Sequence, residues 1–424
     1  MSLPSARPRD PVGWSGLVAF AFLALCQIRL GIPSAPFFDE VHYLPAARAL
    51  LEDPRIINQE HPLLGKIILA EGIALFGDNP LGWRIFPALA GAVTLFAFMR
   101  GMWFATFSRF ATLAGGILLA TAFPLFVHAR IAMLDAFMAC FTMIGLWMCA
   151  AALREPGAAR WRLAIAGVAF GLAMGSKWSA VPVAVLPGLA FLALRLRSAR
   201  LGFLTAKTGA PVPGMTLVEA AVWLGLVPLA TYALTFLPAF FYERDPLTIG
   251  GFIEYQRQMI ELQGMALDPH PYQSVWWQWV LNLRAIWYLY EVTDGAQRGV
   301  LLVGNPLTML VGLPALAWCA WRGLLRADRA ALAVALLYAA SLGLWIVAEK
   351  PVQFYFHYLL PSCFLVAALA LALDAAWRAG WRKSSLGTVS ASCLVFGWFF
   401  PILSAGALGG PQDFLYWAWI PGWR

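Results

Sequence analysis

The sequence predicts an all-α polytopic membrane protein, a bundle of about 11 transmembrane helices with two large loops on one face. Two observations predict it. Of 424 residues, 61% are hydrophobic and only 12% charged, whereas a soluble domain carries about 25% charge. Apolar runs also recur along the whole length, each able to cross roughly 30 Å of hydrocarbon as a helix. Lipid offers the backbone no hydrogen-bond partners, so repeated runs of this kind mean helices packed together.

Taken in order, a first span is expected over 14–31. The residues before it are short and polar, and no small-residue cleavage site follows, so it reads as a retained helix and not a removed signal peptide. Residues 32–83 form the first large loop. Within it, PLLGKIILAEGIALFG (62–77) is apolar but interrupted by Lys66 and Glu71. Too short to span, it is expected to lie along the membrane as an interfacial or re-entrant helix. Spans follow near 84–99, 110–127, 131–152, 163–176, 179–195 and 217–240. The second large loop, 241–299, contains HPYQSVWWQWVLNLRAIWYLYE (270–291), whose Trp and Tyr suit the headgroup level. The last spans are expected near 300–321, 330–348, 352–373 and 385–405. No separate soluble domain and no internal repeat is visible, so 1–424 reads as one integral membrane unit.

The net charge of +8 would suit nucleic acid or anionic lipid, so its distribution decides. Eleven spans put the termini on opposite sides. Loops on the N-terminal side, from Arg7 and Arg9 through Arg200 to Lys383, hold 17 of the 30 basic residues but only five of the 22 carboxylates. Basic loops stay in the cytoplasm, so the N-terminus is expected inside and both large loops outside. The charge is a topology signal: the partner it implies is a lipid bilayer, and nucleic acid is excluded. All six cysteines fall in expected spans without CxxC spacing and read as small core residues.

FFDEVHYLPAARALLEDPRIINQEHPLLGK (37–66) gathers ionisable groups directly after the first span. All five histidines (His42, His61, His128, His270, His357) lie in outer loops or at outer helix ends, as do Arg29, Arg84, Arg130, Lys177 and Lys350. A single charge at a helix end often only snorkels, but convergence on one face suggests a polar cavity opening outward. Asp39 and Glu40 stand first. A transfer reaction needs a carboxylate to take a proton from an incoming hydroxyl, and cations to hold an anionic leaving group. Adjacent residues point in different directions, so one would be the base while the other binds or orients. The competing reading is a cap on the helix beginning near Val41.

In EHPLLGK (60–66), His61 and Lys66 suit a phosphate, or Lys66 snorkels. In HARIAMLDAF (128–137), Asp135 is an intramembrane carboxylate with Arg130 or Lys177 as partner. Lys177 and Trp178 break two apolar runs at a tight outer turn, and His357 and Tyr358 lie one turn inside an outer end. Asp39, Glu40, His42 and His61 include metal-ligand types, but no spacing here is diagnostic of a metal site. No P-loop, GxGxxG or GxSxG occurs in a usable context.

These elements in this order resemble the protein O-mannosyltransferases, polytopic enzymes of the GT-C glycosyltransferase superfamily. The matching stretches are FDEVHY (38–43), HPLLGK (61–66), WRIFPALAGA (83–92), ARIAMLDAF (129–137), GSKW (175–178), HPYQSVWWQW (270–279), RAIWYLYE (284–291), GNP (304–306) and FHYLLP (356–361). The resemblance implies a GT-C-like bundle that transfers mannose from a polyprenyl-phosphate donor to Ser or Thr hydroxyls of exported proteins, with inversion. The setting it implies is the outer face of a bacterial cytoplasmic membrane, beside the translocation machinery, with no metal or other cofactor. By that analogy Asp39 is the general base, and Glu40 supports the site or contacts the acceptor. Arg29 and Arg84 match family arginines, and with His61, Lys66, Arg130 and Lys177 they are expected around the donor's phosphate and sugar. Asp135, Trp178, His270, Tyr272, His357 and Tyr358 are expected in supporting or acceptor-side positions.

Two departures stand out. HPLLGK lacks the second proline of many members, and the place of the large β-trefoil insert of eukaryotic members holds only residues 241–299. The chain looks like a compact bacterial relative. The acceptor stays open between an exported protein and a lipid or glycan, as in aminoarabinose transferases. A transporter of lipid-linked substrates is the other class, but such proteins concentrate ionisable groups at mid-membrane in repeated halves.

Overall fold

The computed structural model describes residues 8–199, 202–265, 268–348 and 350–424; Arg7 and Arg200 of the topology argument lie outside these. Its helices in chain order are α1 (Val12–Gln27), α2 (Glu40–Glu52), α3 (Leu64–Phe76), α4 (Pro80–Thr106), α5 (Arg109–Ala120), α6 (Pro124–His128), α7 (Leu134–Arg154), α8 (Ala159–Ser176), α9 (Val181–Ala199), α10 (Leu217–Ala221) and α11 (Val227–Leu234). Then come α12 (Ile249–Gly264), α13 (Trp276–Val280), strands β1 (Ile286–Thr293) and β2 (Ala296–Leu302), α14 (Pro306–Leu325), α15 (Arg329–Val347), α16 (Leu359–Arg378) and α17 (Arg382–Leu403).

Among the described residues, eight helical segments are long and apolar enough to cross a membrane: α4, α7, Trp178–Ala199, Leu217–Phe241, α14, α15, Tyr355–Arg378 and α17. The other three expected spans fall on shorter or more polar helices: α1, α5 with α6, and α8. α4, α7 and α16 form the middle of the bundle and are the most buried of the eight.

Local chemistry sets the boundaries. α4 starts where Asn79 Oδ1 accepts from the N–H groups of Leu81 and Gly82 and Pro80 takes the first helical position. Its 27 residues reach about 40 Å. The run expected as one span over 110–127 is instead broken after Ala120. Pro124 has no N–H and its ring clashes with the preceding turn. Asn305 repairs the break: its backbone N–H donates to the Ala122 carbonyl at 2.9 Å and its side chain to the Thr121 carbonyl at 2.9 Å. Between α10 and α11 the helix widens into a π turn over Val222–Leu226, beside Pro228, which cannot donate to the turn before it.

A two-stranded antiparallel hairpin departs from the all-helical expectation. Its tip is Asp294-Gly295, both at positive φ, the combination a tight two-residue hairpin turn demands. Residues 300–302, expected to open a span, belong to β2, and α14 begins only behind the Asn305 cap. The C-terminal tail straps the hairpin: Leu408 N–H donates to the Gln297 carbonyl, and Trp287 Nε1 of β1 to the Trp423 carbonyl. Ser34 ties the hairpin tip to the first large loop through both Asp294 carboxylate oxygens. α2 and α3 from that loop and α12 from the second complete the loop-rich end of the molecule.

Candidate active site

The acidic pair splits into two jobs. Glu40, the first residue of α2, is wholly buried. Its carboxylate takes a two-pronged ion pair from Arg84 on α4, with Nε–Oε1 and Nη2–Oε2 both 2.8 Å, and accepts from the N–H groups of Phe37 (3.2 Å) and Ala132 (2.9 Å). The remaining Arg84 donors hold the carbonyls of Leu30, Pro33 and Ala35. Glu40 and Arg84 thereby knot α2, α4, the first loop and the entrance to α7.

Asp39 faces the other way. It makes no capping hydrogen bond, and among the described residues its carboxylate has no hydrogen-bond or ion-pair partner. Phe38 before it adopts a left-handed φ of 50°, which costs a residue with a side chain about 1–2 kcal/mol. A stack on Tyr288 of β1, at 3.9 Å between ring centres, holds it there. Burial pushes Asp39 up to about 6; Lys177 opposes that rise and Asp135 adds to it. Asp39 keeps some accessible area yet is enclosed by protein, because what it touches is a cavity.

That cavity, of about 360 Å³, is lined by Asp39, His42, Tyr43, Glu60, His61 and Lys177, with Gln263, Lys350 and the apolar Leu262, Met265, Val352, Phe354 and Phe356. A second cavity of about 410 Å³ shares Glu60, His61, Lys177, Gln263 and Lys350 with it and adds Trp178, Ile260, Leu344 and Trp345. Lys177, in the turn after α8, pairs with the buried Asp135 of α7 at 2.7 Å and lies over the Phe356 ring. His61 has its Nδ1 at 3.4 Å from Gln263 Nε2; burial and the nearby lysines push it well below the ordinary histidine range.

Of the residues the sequence nominates, Asp39, His61 and Lys177 line the first cavity, Trp178 lines the second, and Asp135 stands directly behind Lys177. Arg84 does not reach either, because Glu40 and three carbonyls consume its donors. Arg29 bonds Ser404, and Arg130 bonds the carbonyls of Cys26 and Arg29, so both close the junction of α1 and α17. Lys66 gives its ammonium to the carbonyls of Ile57 (3.2 Å), Asn58 (2.6 Å) and His61 (2.8 Å), pinning the loop that carries Glu60 and His61. His357 is buried against Trp345, with ring centres 3.7 Å apart, and Tyr358 bonds Tyr338 at 2.8 Å. His270 and Tyr272 sit on the loop beyond, where the His270 ring meets Phe354. Sequence reasoning assigned no role to Glu60 or Gln263, and counted Lys350 only among the outer-end cations. Lys350, a lysine beside a proline between two spans, was readable as an outer-end cation; Gln263, in an ordinary amphipathic helix, gave no signal. No three His, Cys, Asp or Glu side chains converge as metal ligands among the described residues.

Residues 76–242 match the family model described as dolichyl-phosphate-mannose–protein mannosyltransferase, and residues 248–423 match that of the C-terminal four-transmembrane region of protein O-mannosyltransferase. The polyprenol-phosphate-mannose–protein mannosyltransferase of Mycobacterium tuberculosis is 27% identical over 97% of this chain and 92% of its own length. That of Corynebacterium glutamicum is 26% identical over 100% and 96%. In fold, the chain is similar to a chain of the S. cerevisiae protein O-mannosyltransferase Pmt1–Pmt2 complex bound to the sugar donor. The TM-score is 0.81 at 15% identity, covering 97% of this chain and 93% of that one. ArnT from Cupriavidus metallidurans bound to undecaprenyl phosphate follows with a TM-score of 0.59 at 16% identity, covering 91% and 64%. With both family models matching and the fold agreeing from end to end, the chain belongs to the protein O-mannosyltransferase family of glycosyltransferases.

Proposed function

We propose that the chain moves mannose from a polyprenyl-phosphate-linked donor onto Ser or Thr hydroxyls of exported proteins, with inversion at the anomeric carbon. The observation that carries the reading is the Asp39 carboxylate, without a hydrogen-bond or ion-pair partner among the described residues, drawn up to about 6 and open to a cavity that also holds Lys177. A base poised near the working pH is ionised yet still basic enough to accept a proton. The acceptor oxygen attacks the anomeric carbon on the face opposite the phosphate, and Asp39 takes its proton. The bond from that carbon to the phosphate oxygen breaks, leaving its electron pair on the phosphate. Lys177 supplies positive potential on the leaving side. Trp178, Ile260, Leu344 and Trp345 suit the first isoprene units of the donor, and Leu262, Met265, Val352 and Phe354 suit an extended peptide. Glu40 acts by positioning Asp39.

The site is assigned to the outer face of a bacterial cytoplasmic membrane, with the N-terminus inside as the loop charges argue. Acceptors would reach it as they leave the translocation machinery, and the bundle with both loops works as one catalytic unit. Membranes holding the chain, given labelled polyprenyl-phosphate mannose and a Ser/Thr peptide, should label the peptide. Asp39→Asn should lower that rate by about 10²–10⁴ while donor binding persists. Label found only in lipid would assign the lipid-acceptor alternative; Asp39→Asn that leaves turnover intact while substrate export fails would assign a transporter.

A further inference from the structure

Among the described residues, the cations that the sequence singles out at the loop-rich end are held by a carboxylate or by several oxygens, Lys350 excepted. Arg84 is taken by Glu40, Arg29 and Arg130 by the α1–α17 junction, Lys66 by three carbonyls, and Lys177 shares its charge with Asp135 at 2.7 Å. Lys350, in the short link between α15 and α16, lines both cavities and forms no ion pair among the described residues. Its Nζ donates to a neutral partner, Gln263 Oε1, at 3.2 Å. The other end of the same amide donates to the Glu60 carbonyl at 2.5 Å and faces His61 Nδ1. Gln263 therefore fixes the ammonium and the imidazole on one wall without offsetting the charge of Lys350. Among the described residues no carboxylate contacts this ammonium directly, so an anion entering the cavity would find it available.

We propose that Lys350, oriented by Gln263, is the cation that receives the departing phosphate of the lipid-linked donor. This rests on the transferase reading above. As the acceptor oxygen bonds to the anomeric carbon and its proton passes to Asp39, the broken bond's electrons stay on the phosphate, whose charge grows from one negative to two. Lys350 meets that second charge, while Lys177 shares its own with Asp135.

The groups facing Lys350 give the step a pH signature. Burial and Lys177 push it down to about 8, while Asp135, Asp39 and Glu60 pull the other way; His61 and His357 also face it. Its charged form is complete below that value and is lost as pH rises through it, so donor capture should decline on the alkaline side. Arginine stays charged throughout.

The test compares wild type, Lys350→Met and Lys350→Arg, purified as full chains, by kcat/KM for polyprenyl-phosphate mannose across pH and by inhibition with polyprenyl phosphate. Lys350→Met should lose about a hundredfold in kcat/KM and bind the product phosphate more weakly, with the acceptor KM unchanged. Lys350→Arg should keep most activity and lose the alkaline decline. Lys350→Met with wild-type kcat/KM and product inhibition, or Lys350→Arg with an unaltered alkaline limb, would overturn the proposal. Should Lys350→Met fail to fold, the limb of Lys350→Arg decides alone. A wild-type chain that moves no mannose would instead overturn the transferase reading.

Discussion

Asp39 and Glu40 are neighbours in sequence with opposite fates, and the contrast shows how one backbone step divides chemistry from structure. Glu40 is saturated by Arg84 and two N–H groups; Asp39 has only the cavity. An ionised carboxylate enclosed without donors is disfavoured, which is why its protonation midpoint rises from 3.8 to about 6. The expected consequence is a kcat/KM that falls about tenfold per pH unit below pH 6 and is flat above until the alkaline limb begins. The same burial has a stability sign. The folded state holds the proton more tightly than the unfolded one, so Asp39 favours folding at low pH and its ionisation weakens the fold as pH rises through about 6. Linkage alone allows about 3 kcal/mol for such a shift, and contact with cavity water reduces this to about 1 kcal/mol. Asp39→Asn should therefore melt higher than wild type at pH 7.5 and equally below about pH 4, as thermal unfolding in detergent would reveal. A lower melting point for Asp39→Asn at neutral pH would mean that the carboxylate is anchored and not merely enclosed.

At the scale of elements, the start of α2 is aimed by a buried ion pair that belongs to α4. The sequence marks Arg84 as a cation at an outer helix end and the family resemblance gives it importance, but neither reveals its partner. Partner choice is made by tertiary packing, which brings Glu40 and three loop carbonyls to one guanidinium. Removing one member of a buried pair leaves an uncompensated charge, at about 3–5 kcal/mol. Glu40→Gln and Arg84→Met should each lower unfolding stability by that order, and the double substitution should cost less than their sum. Additive losses would show that the two side chains act separately. The elements themselves were legible where they are long and apolar, as at α7 and α15, and where charge interrupts them, as at α3. They were misread where a short signal sat inside an aromatic run. The Thr-Asp-Gly-Ala turn at 293–296 marks a hairpin, but the Trp and Tyr around it resemble a headgroup belt equally well. The proline at 124 gave notice of a break in the third expected span, and only the fold shows Asn305 arriving to fill it.

For the whole molecule, the direction of the bundle fixes the meaning of the site. Two large loops, the hairpin, the C-terminal tail and both cavities gather at one end; at the other ends of the helices Arg100 pairs with Asp10, Arg154 bonds the carbonyls of Phe104 and Ala105, and Arg378 pairs with Asp374. Of the acidic pair's setting, the sequence could show that ionisable groups converge on one face, because periodicity and loop charge are one-dimensional signals. It could not show which cation faces the cavity, since Lys66, Arg84 and Lys350 look alike as lysines and arginines near helix ends and differ only in what they touch. Orientation itself is open to a direct measurement. Cys393 is the exposed one of the six cysteines, and the others are buried or partly so, so Cys393→Ser gives a quiet background for labelling. Gly295, at the hairpin tip with nothing within 4 Å of an added Cβ, and Lys207, in the loop between α9 and α10, then report the two ends. Because Gly295 has a positive φ, Gln297, two residues on, serves as a second reporter at the same end. With an impermeant maleimide applied to intact spheroplasts, Gly295→Cys and Gln297→Cys should label at once, and Lys207→Cys only after the membrane is opened. The basic loops would have to cross against the positive-inside preference for the pattern to reverse. A reversed pattern would put Asp39 on the cytoplasmic side, away from any exported acceptor.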